Sequence, residues 1–288
     1  MSGLSKFLQG RGFLRLMMIL AMVFLYAPII SIIVYSFNES QLVTVWSHFS
    51  TKWYGALLED EQILRAAKIS LEVAVMSATG SLVVGTLAGY ILTRFTRFKG
   101  RTLFSGMVMA PLVMPEIIMG ISMLLLFVGM EQVIGWPQRD IQTIVIAHIT
   151  FSTAFVSVVV QSRLQGIDVS VEEAAMDLGA RPVTVFFLIT LPLMIPALVS
   201  GWLLAFSLSL DDLVITAFVS GPGSTTLPMV IFSKVRLGLN PEINALATVV
   251  ILFIGLVSGI GAFKGAFKSL GSKEPVADDN AVPVPVAN

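Results

Sequence analysis

Two groups of residues in this 288-residue sequence could do chemistry. The first is a set of ionisable side chains inside long apolar runs: Glu116, His148, Asp211 and Asp212. A charge at membrane depth is costly, so each such residue is a functional candidate. Carboxylates placed there suit a cation. Glu116 follows Pro115, with Pro111 one turn earlier, and two prolines so placed should break a helix and free carbonyls. Asp211 and Asp212 are adjacent and point about 100° apart on a helix. One can line a path while the other caps or pairs. His148 reads as a bonded packing histidine rather than a ligand. The second group lies in residues 164–192, LQGIDVSVEEAAMDLGARPVTVFFLITLP, where paired acids sit beside small and apolar residues at helical spacing.

Several chemistries are excluded. There is no cysteine, so no disulfide, thiolate metal site or cysteine nucleophile. Divergent neighbouring aspartates make a poor acid pair, and no nucleophile motif accompanies them, so no catalytic residue and no metal site is assigned. No Gly-x-x-x-x-Gly-Lys-Ser/Thr phosphate loop occurs; the stretch Gly261 to Ser269 has the wrong spacing. The 18 basic and 18 acidic residues cancel, which leaves no basic excess for nucleic acid. Only 12% of residues are charged and 56% are hydrophobic, with a mean hydropathy of +0.88. Such a chain belongs in a bilayer.

The elements that must hold these residues are membrane spans. A spanning helix needs about 20 apolar residues. Uncharged runs of that length are Leu16–Asn38, Val73–Thr93, Thr102–Met130 (interrupted by Glu116), Ile141–Ser162, a stretch placed at 193–219 (interrupted by Asp211 and Asp212), and Ile243–Phe263. Backbone groups cannot go unpaired in lipid, so six helices are expected. Lys6, Arg11 and Arg15 look like a charged leader. The following apolar run is too long for a signal peptide and has no cleavage site, so it reads as a retained first span. Twelve of the 18 basic residues fall on the side of both termini, which predicts that this side is cytoplasmic. Trp46, Trp53, Tyr54 and Trp136 lie just outside the spans, where aromatic rings favour the interface. The expected organisation is a cytoplasmic N-terminus over 1–14, a membrane domain over 15–265 and a disordered cytoplasmic tail over 266–288. Gly85-x-x-x-Gly89 and Gly255-x-x-x-Gly259 suit close helix approach, more simply within the subunit than in a dimer. Asn38-Glu39-Ser40 matches a glycosylation sequon by chance.

Residues 164–192 are too long and too patterned for a plain connection. Asp168 or Ser170 can cap a helix over 168–178, with Glu172 and Glu173 in its first turn. Gly179 stops it, and Pro182 begins a second short helix. Ala174, Ala175 and Leu178 share a face beside carboxylates, a surface for docking another protein.

Glu173-Ala174-Ala175, then Gly179, Ile189 and Leu191-Pro192, resembles the EAA loop of ABC-importer permease subunits, with every defining position filled. The resemblance implies an all-α polytopic membrane protein with the six-helix type I importer fold. It makes the segment a coupling helix whose Glu173, Ala174, Ala175, Asp177 and Gly179 contact a cytoplasmic ATPase. It further implies a homologous second permease, two ATPase subunits that carry ATP-Mg, and an extracytoplasmic binding protein. This chain would bind no cofactor itself. Residues 26–54, 111–120, 201–213, 219–228 and 239–247 look like the second permease of polyamine importers, which implies putrescine or spermidine as solute and a bacterial inner membrane as location.

A polyamine would need carboxylates for its ammonium groups and aromatic faces for cation–π contact. Glu116, Asp211, Asp212, Phe206, Trp202 and Tyr90 could supply them. For Trp202 and Phe206, packing against lipid or helices is the favoured reading. The alternatives are a permease for another solute and a stand-alone secondary transporter. The latter predicts inverted repeats, which are not seen.

Overall fold

Long runs of apolar residues close their own backbone hydrogen bonds, and the computed structural model is helical accordingly. It describes residues 11–41, 45–238 and 241–270. The helices are α1 (Arg11–Tyr35), α2 (Lys52–Glu59), α3 (Glu61–Arg94), α4 (Arg101–Val113), α5 (Glu116–Ile134), α6 (Ile141–Gln165), α7 (Val169–Asp177), α8 (Pro182–Asp211), α9 (Val214–Val219), α10 (Leu227–Leu237) and α11 (Pro241–Leu270). Among the described residues there is no strand, only an isolated antiparallel bridge between Asn38 and Phe49. Five helices are long and apolar enough to cross a membrane: α1, α3, α5, α6 and α8. α11 covers the sixth expected run, but much of the side-chain detail past Phe253 lies outside the description.

One span shows the expected break and two others change extent. The run 102–130 is two helices, broken at Met114 and Pro115. Met114 turns extended, and Pro115 cannot donate an N–H to continue the ladder. The fifth span ends at Asp211 instead of near residue 219, because Asp212 is extended and starts a new helix. The second span starts earlier than its uncharged run, since Asp60 caps α3 thirteen residues before Val73. Its carboxylate accepts from the N–H of Gln62 (2.9 Å) and Ile63 (3.0 Å). Burial alone would raise the Asp60 carboxyl. A hydrogen bond from Lys234 (2.6 Å), with the two N–H groups, outweighs it and holds the group below its ordinary range.

The described residues form two compact units: one reaching to Leu57 together with residues from 240 onward, the other Leu58–Leu239. In the first, α1 packs on α11. Asn38 is buried, its amide donating to Val45 O (2.7 Å) and its backbone oxygen accepting from Trp53 Nε1 (2.8 Å), so the sequon is structural. In the second, α6 is the axis, flanked by α3 and α8. A Cβ on Gly85 would lie 2.7 Å from Val156 Cβ, and one on Gly89 2.7 Å from Val160 Cγ1, so this glycine pair seats α3 on α6 within the chain. Gly255 meets nothing within 4 Å, and Gly259 falls among the residues whose side chains are not described. The tail expected to be disordered from 266 is helical to Leu270. Residues 1–10 and the remainder of the tail lie outside the described residues.

Candidate functional site

Asp168 caps α7, its carboxylate accepting from Ser170 N–H at 2.9 Å. The backbone and hydroxyl bonds from Ser170 hold that carboxyl below its usual range. At the far end Gly179 takes φ +91°. Gly179 N–H reaches Met176 O (2.9 Å) and Ala180 N–H reaches Ala175 O (3.1 Å), the paired bonds of a Schellman cap. Only a residue without Cβ adopts that conformation freely, which is why the helix stops where it does. Glu173, Ala174, Asp177 and Gly179 are exposed and Ala175 is half-buried. Leu178 is 90% exposed beside them, with Val183 and Leu188 also open.

The two adjacent acids part company. Glu172 is only 6% exposed. Its Oε1 accepts from Arg94 Nη2 (2.9 Å) and Nε (3.2 Å) at the end of α3, and from Thr190 Oγ1 (3.0 Å) in α8. Of the two acids expected in the first turn, Glu172 lies there but faces the protein, and Glu173 follows it and is open. Neighbours on a helix are about 100° apart, and one faces the protein. The second short helix also differs from expectation. Pro182 begins a helix that continues as α8, through a wide turn at Phe186–Thr190 where Leu191 N–H bonds to Phe186 O. Pro192 follows and has no N–H, so the ladder skips a residue there instead of stopping.

Asp211 and Asp212 separate in the same way. Asp212 turns inward and its carboxylate caps α9, accepting from Thr216 N–H (2.8 Å), Thr216 Oγ1 (2.7 Å) and Ile215 N–H (3.3 Å). His148, 1% exposed on α6, places Nε2 3.2 Å from the same carboxylate and Nδ1 2.7 Å from Ser209 Oγ. The ring bridges Ser209 on its Nδ1 side and Asp212 with Thr216 Oγ1 (3.0 Å) on its Nε2 side. His148 is thus the bonded packing residue expected. Asp211 is exposed, and it lies within the electrostatic reach of Glu116, itself exposed at the start of α5. α5 and α9 meet closely, since a Cβ on Gly120 would stand 2.5 Å from Phe218 Cδ2.

The aromatic candidates lie elsewhere. Trp202 stacks on Phe206 (5.2 Å between centroids, 13° between planes), and its Nε1 donates to Thr79 Oγ1 (3.2 Å). Both rings pack on the buried cluster of Val156, Val160 and Met194, as the packing reading has it. Tyr90 lies edge-on to Phe186 at 4.8 Å, one turn before Arg94. Trp202 and Asp211 are nine residues apart, about half a turn round the helix. The six candidates therefore do not form one wall. Glu116 and Asp211 are both exposed and within electrostatic reach of one another, Asp212 belongs to the histidine network, and the rings belong to the α3–α6–α8 packing. Sequence reasoning missed Ser209 and Thr216, although their spacing of three before and four after Asp212 is a helical signal. It missed Thr190 and the Arg94–Glu172 pair, which is separated by 78 residues and leaves no local trace.

Residues 81–263 match the family described as the binding-protein-dependent transport system inner membrane component. The chain belongs to that family. Its members are transport components of the inner membrane, and the chain is a transport subunit, not an enzyme. Within the family, the putrescine transport system permease protein PotI of Escherichia coli (strain K12) is 57% identical over 244 residues, 84% of this chain and 87% of that one. The spermidine/putrescine transport system permease protein PotC of the same organism is 44% identical over 83% of this chain and 88% of that one. A bacterial ABC transporter involved in import of the acidic polysaccharide alginate shares the fold, with a TM-score of 0.71 over 93% of this chain and 99% of that one, at 17% identity. The matched range takes in α7, Gly179 and both aspartates.

Proposed function

We propose that this chain is the permease subunit of an ATP-driven importer for putrescine and forms half of the transmembrane pathway. The observation that carries this reading is the 57% identity to PotI across 84% of the chain. α11 is the sixth span, both termini are cytoplasmic, and α7 is the coupling helix. A homologous permease completes the pathway, two ATPase subunits hold ATP-Mg, and a binding protein delivers the solute from outside. Glu173, Ala174, Ala175, Asp177 and Gly179 meet the ATPase. Their exposure, with the open apolar side chain of Leu178, supports that assignment. Glu116 and Asp211 are the path residues this reading favours, since both are exposed acids in apolar stretches and two carboxylates suit a diammonium ion.

The test is uptake of labelled putrescine, spermidine and thiamine in a strain lacking its own polyamine importers. Putrescine uptake restored by the chain with its partners, and lowered about tenfold or more by Asp211→Asn with Glu116→Gln, is the expected result. Thiamine uptake in place of putrescine sinks the substrate reading. Full putrescine uptake by the double variant sinks the path assignment.

A further inference from the structure

α3 carries an ion pair at each end. At one, the Arg94 guanidinium grips Glu172 of α7 through two nitrogens, with side chains only 12% and 8% exposed. At the other, the Asp60 cap carboxylate holds Lys234 of α10. Between them run 34 residues of helix without a proline. At 1.5 Å per residue that is about 50 Å, well beyond a hydrocarbon core of about 30 Å. The middle of this rod is locked against α6, where even a methyl on Gly85 or Gly89 has no room. Glu172 also takes a hydrogen bond from Thr190, in the wide turn that opens α8. One carboxylate therefore ties α7 to two long helices at once, and α3 continues to the opposite face.

A buried ion pair is weak support for stability, because desolvation offsets most of the attraction. Its geometric demand is what remains. The planar guanidinium fork fixes the approach of α7 to α3 in a way one flexible contact does not. We propose that Glu172 and Arg94 are a clasp through which displacement of α7 drives α3 as a rigid element, and through Asp60 and Lys234 reaches α10 on the outer face. They are positioning residues. Glu173 beside them faces outward to the partner, whereas Glu172 faces inward and transmits. This rests on the reading of α7 as the coupling helix.

The test uses the whole assembly in proteoliposomes: this chain, its partner permease, both ATPases and the binding protein. Three quantities are read: ATPase retained, ATP hydrolysis stimulated by loaded binding protein, and solute imported per ATP. Glu172→Gln keeps the side chain's size and removes its charge. The expected result is near-normal retention and hydrolysis with import per ATP lowered about 3- to 30-fold, the span of measured coupling effects. Asp60→Asn lowers the same ratio, and combining the two adds little, because both act on one rod. Arg94→Lys keeps the charge without the fork and gives the same loss, which carries the test if Glu172→Gln fails to assemble. An unchanged ratio in an assembled variant overturns the proposal. So does a loss of import matched by loss of bound ATPase, and so does failure of both variants to assemble, which assigns the pair to folding alone. Wild-type chain that retains no ATPase overturns the coupling-helix reading instead.

Discussion

Gly179 offers the sharpest test of what the loop helix does. Its φ of +91° closes the Schellman cap of α7, and a Cβ built there meets nothing within 4 Å. Gly179→Ala therefore adds no clash within this chain; its whole cost is backbone strain. For an L-residue in the left-handed region that cost is about 1–2 kcal/mol. If the strain is relieved by unwinding the cap, the properly ended helix becomes about 5- to 30-fold less populated. The exposed set of Glu173, Ala174, Asp177 and Leu178 is presented by that helix end, so on the proposed coupling role affinity for the ATPase subunit falls by the same factor. Asparagine tolerates the left-handed region better, and Gly179→Asn recovers most of the loss. Gly179→Leu loses at least as much as alanine, because its side chain also projects from the docking face. The assay is titration of purified ATPase onto the permease pair in nanodiscs, with thermal unfolding alongside. α7 is short and local, so the unfolding midpoint stays near wild type. Wild-type affinity for Gly179→Ala, or equal losses for alanine and asparagine, would refute the reasoning.

Two further outcomes follow from packing. Gly89→Ala puts a methyl 2.9 Å from Ser157 O and 2.7 Å from Val160 Cγ1, and a backbone oxygen cannot move aside cheaply. Destabilisation of about 1–3 kcal/mol is expected, read as a lower thermal midpoint in detergent, whereas Gly255→Ala leaves it unchanged. His148→Ala strips partners from the buried Asp212 and Ser209 and costs about 1–3 kcal/mol, seen as reduced yield of folded protein. Asp211→Asn, at an exposed site, leaves the yield intact; equal losses for the two variants would contradict the division of roles between the aspartates.

Much of this architecture was legible in composition and local spacing. A run such as Ile141–Ser162 has no choice in lipid but to be a helix, because only a helix satisfies its own backbone. The α7 boundaries were readable because Asp168 and Gly179 act within one turn of themselves. The break at Pro115 was readable because proline lacks the donor the ladder needs. The end of α8 was not, since nothing in an apolar stretch shows that Asp212 will turn to cap the next helix and meet a histidine 64 residues away.

By itself, then, the sequence determined the environment, the helices and the exposed loop motif, all of which depend on neighbours along the chain. The tertiary structure decided which member of each acidic pair does what. Glu172 is clasped by Arg94 and Glu173 is open; Asp212 is bonded to His148 and Asp211 is exposed. Adjacent residues on a helix have the same local context and differ only in the direction they face. Direction acquires meaning only when the other helices are in place.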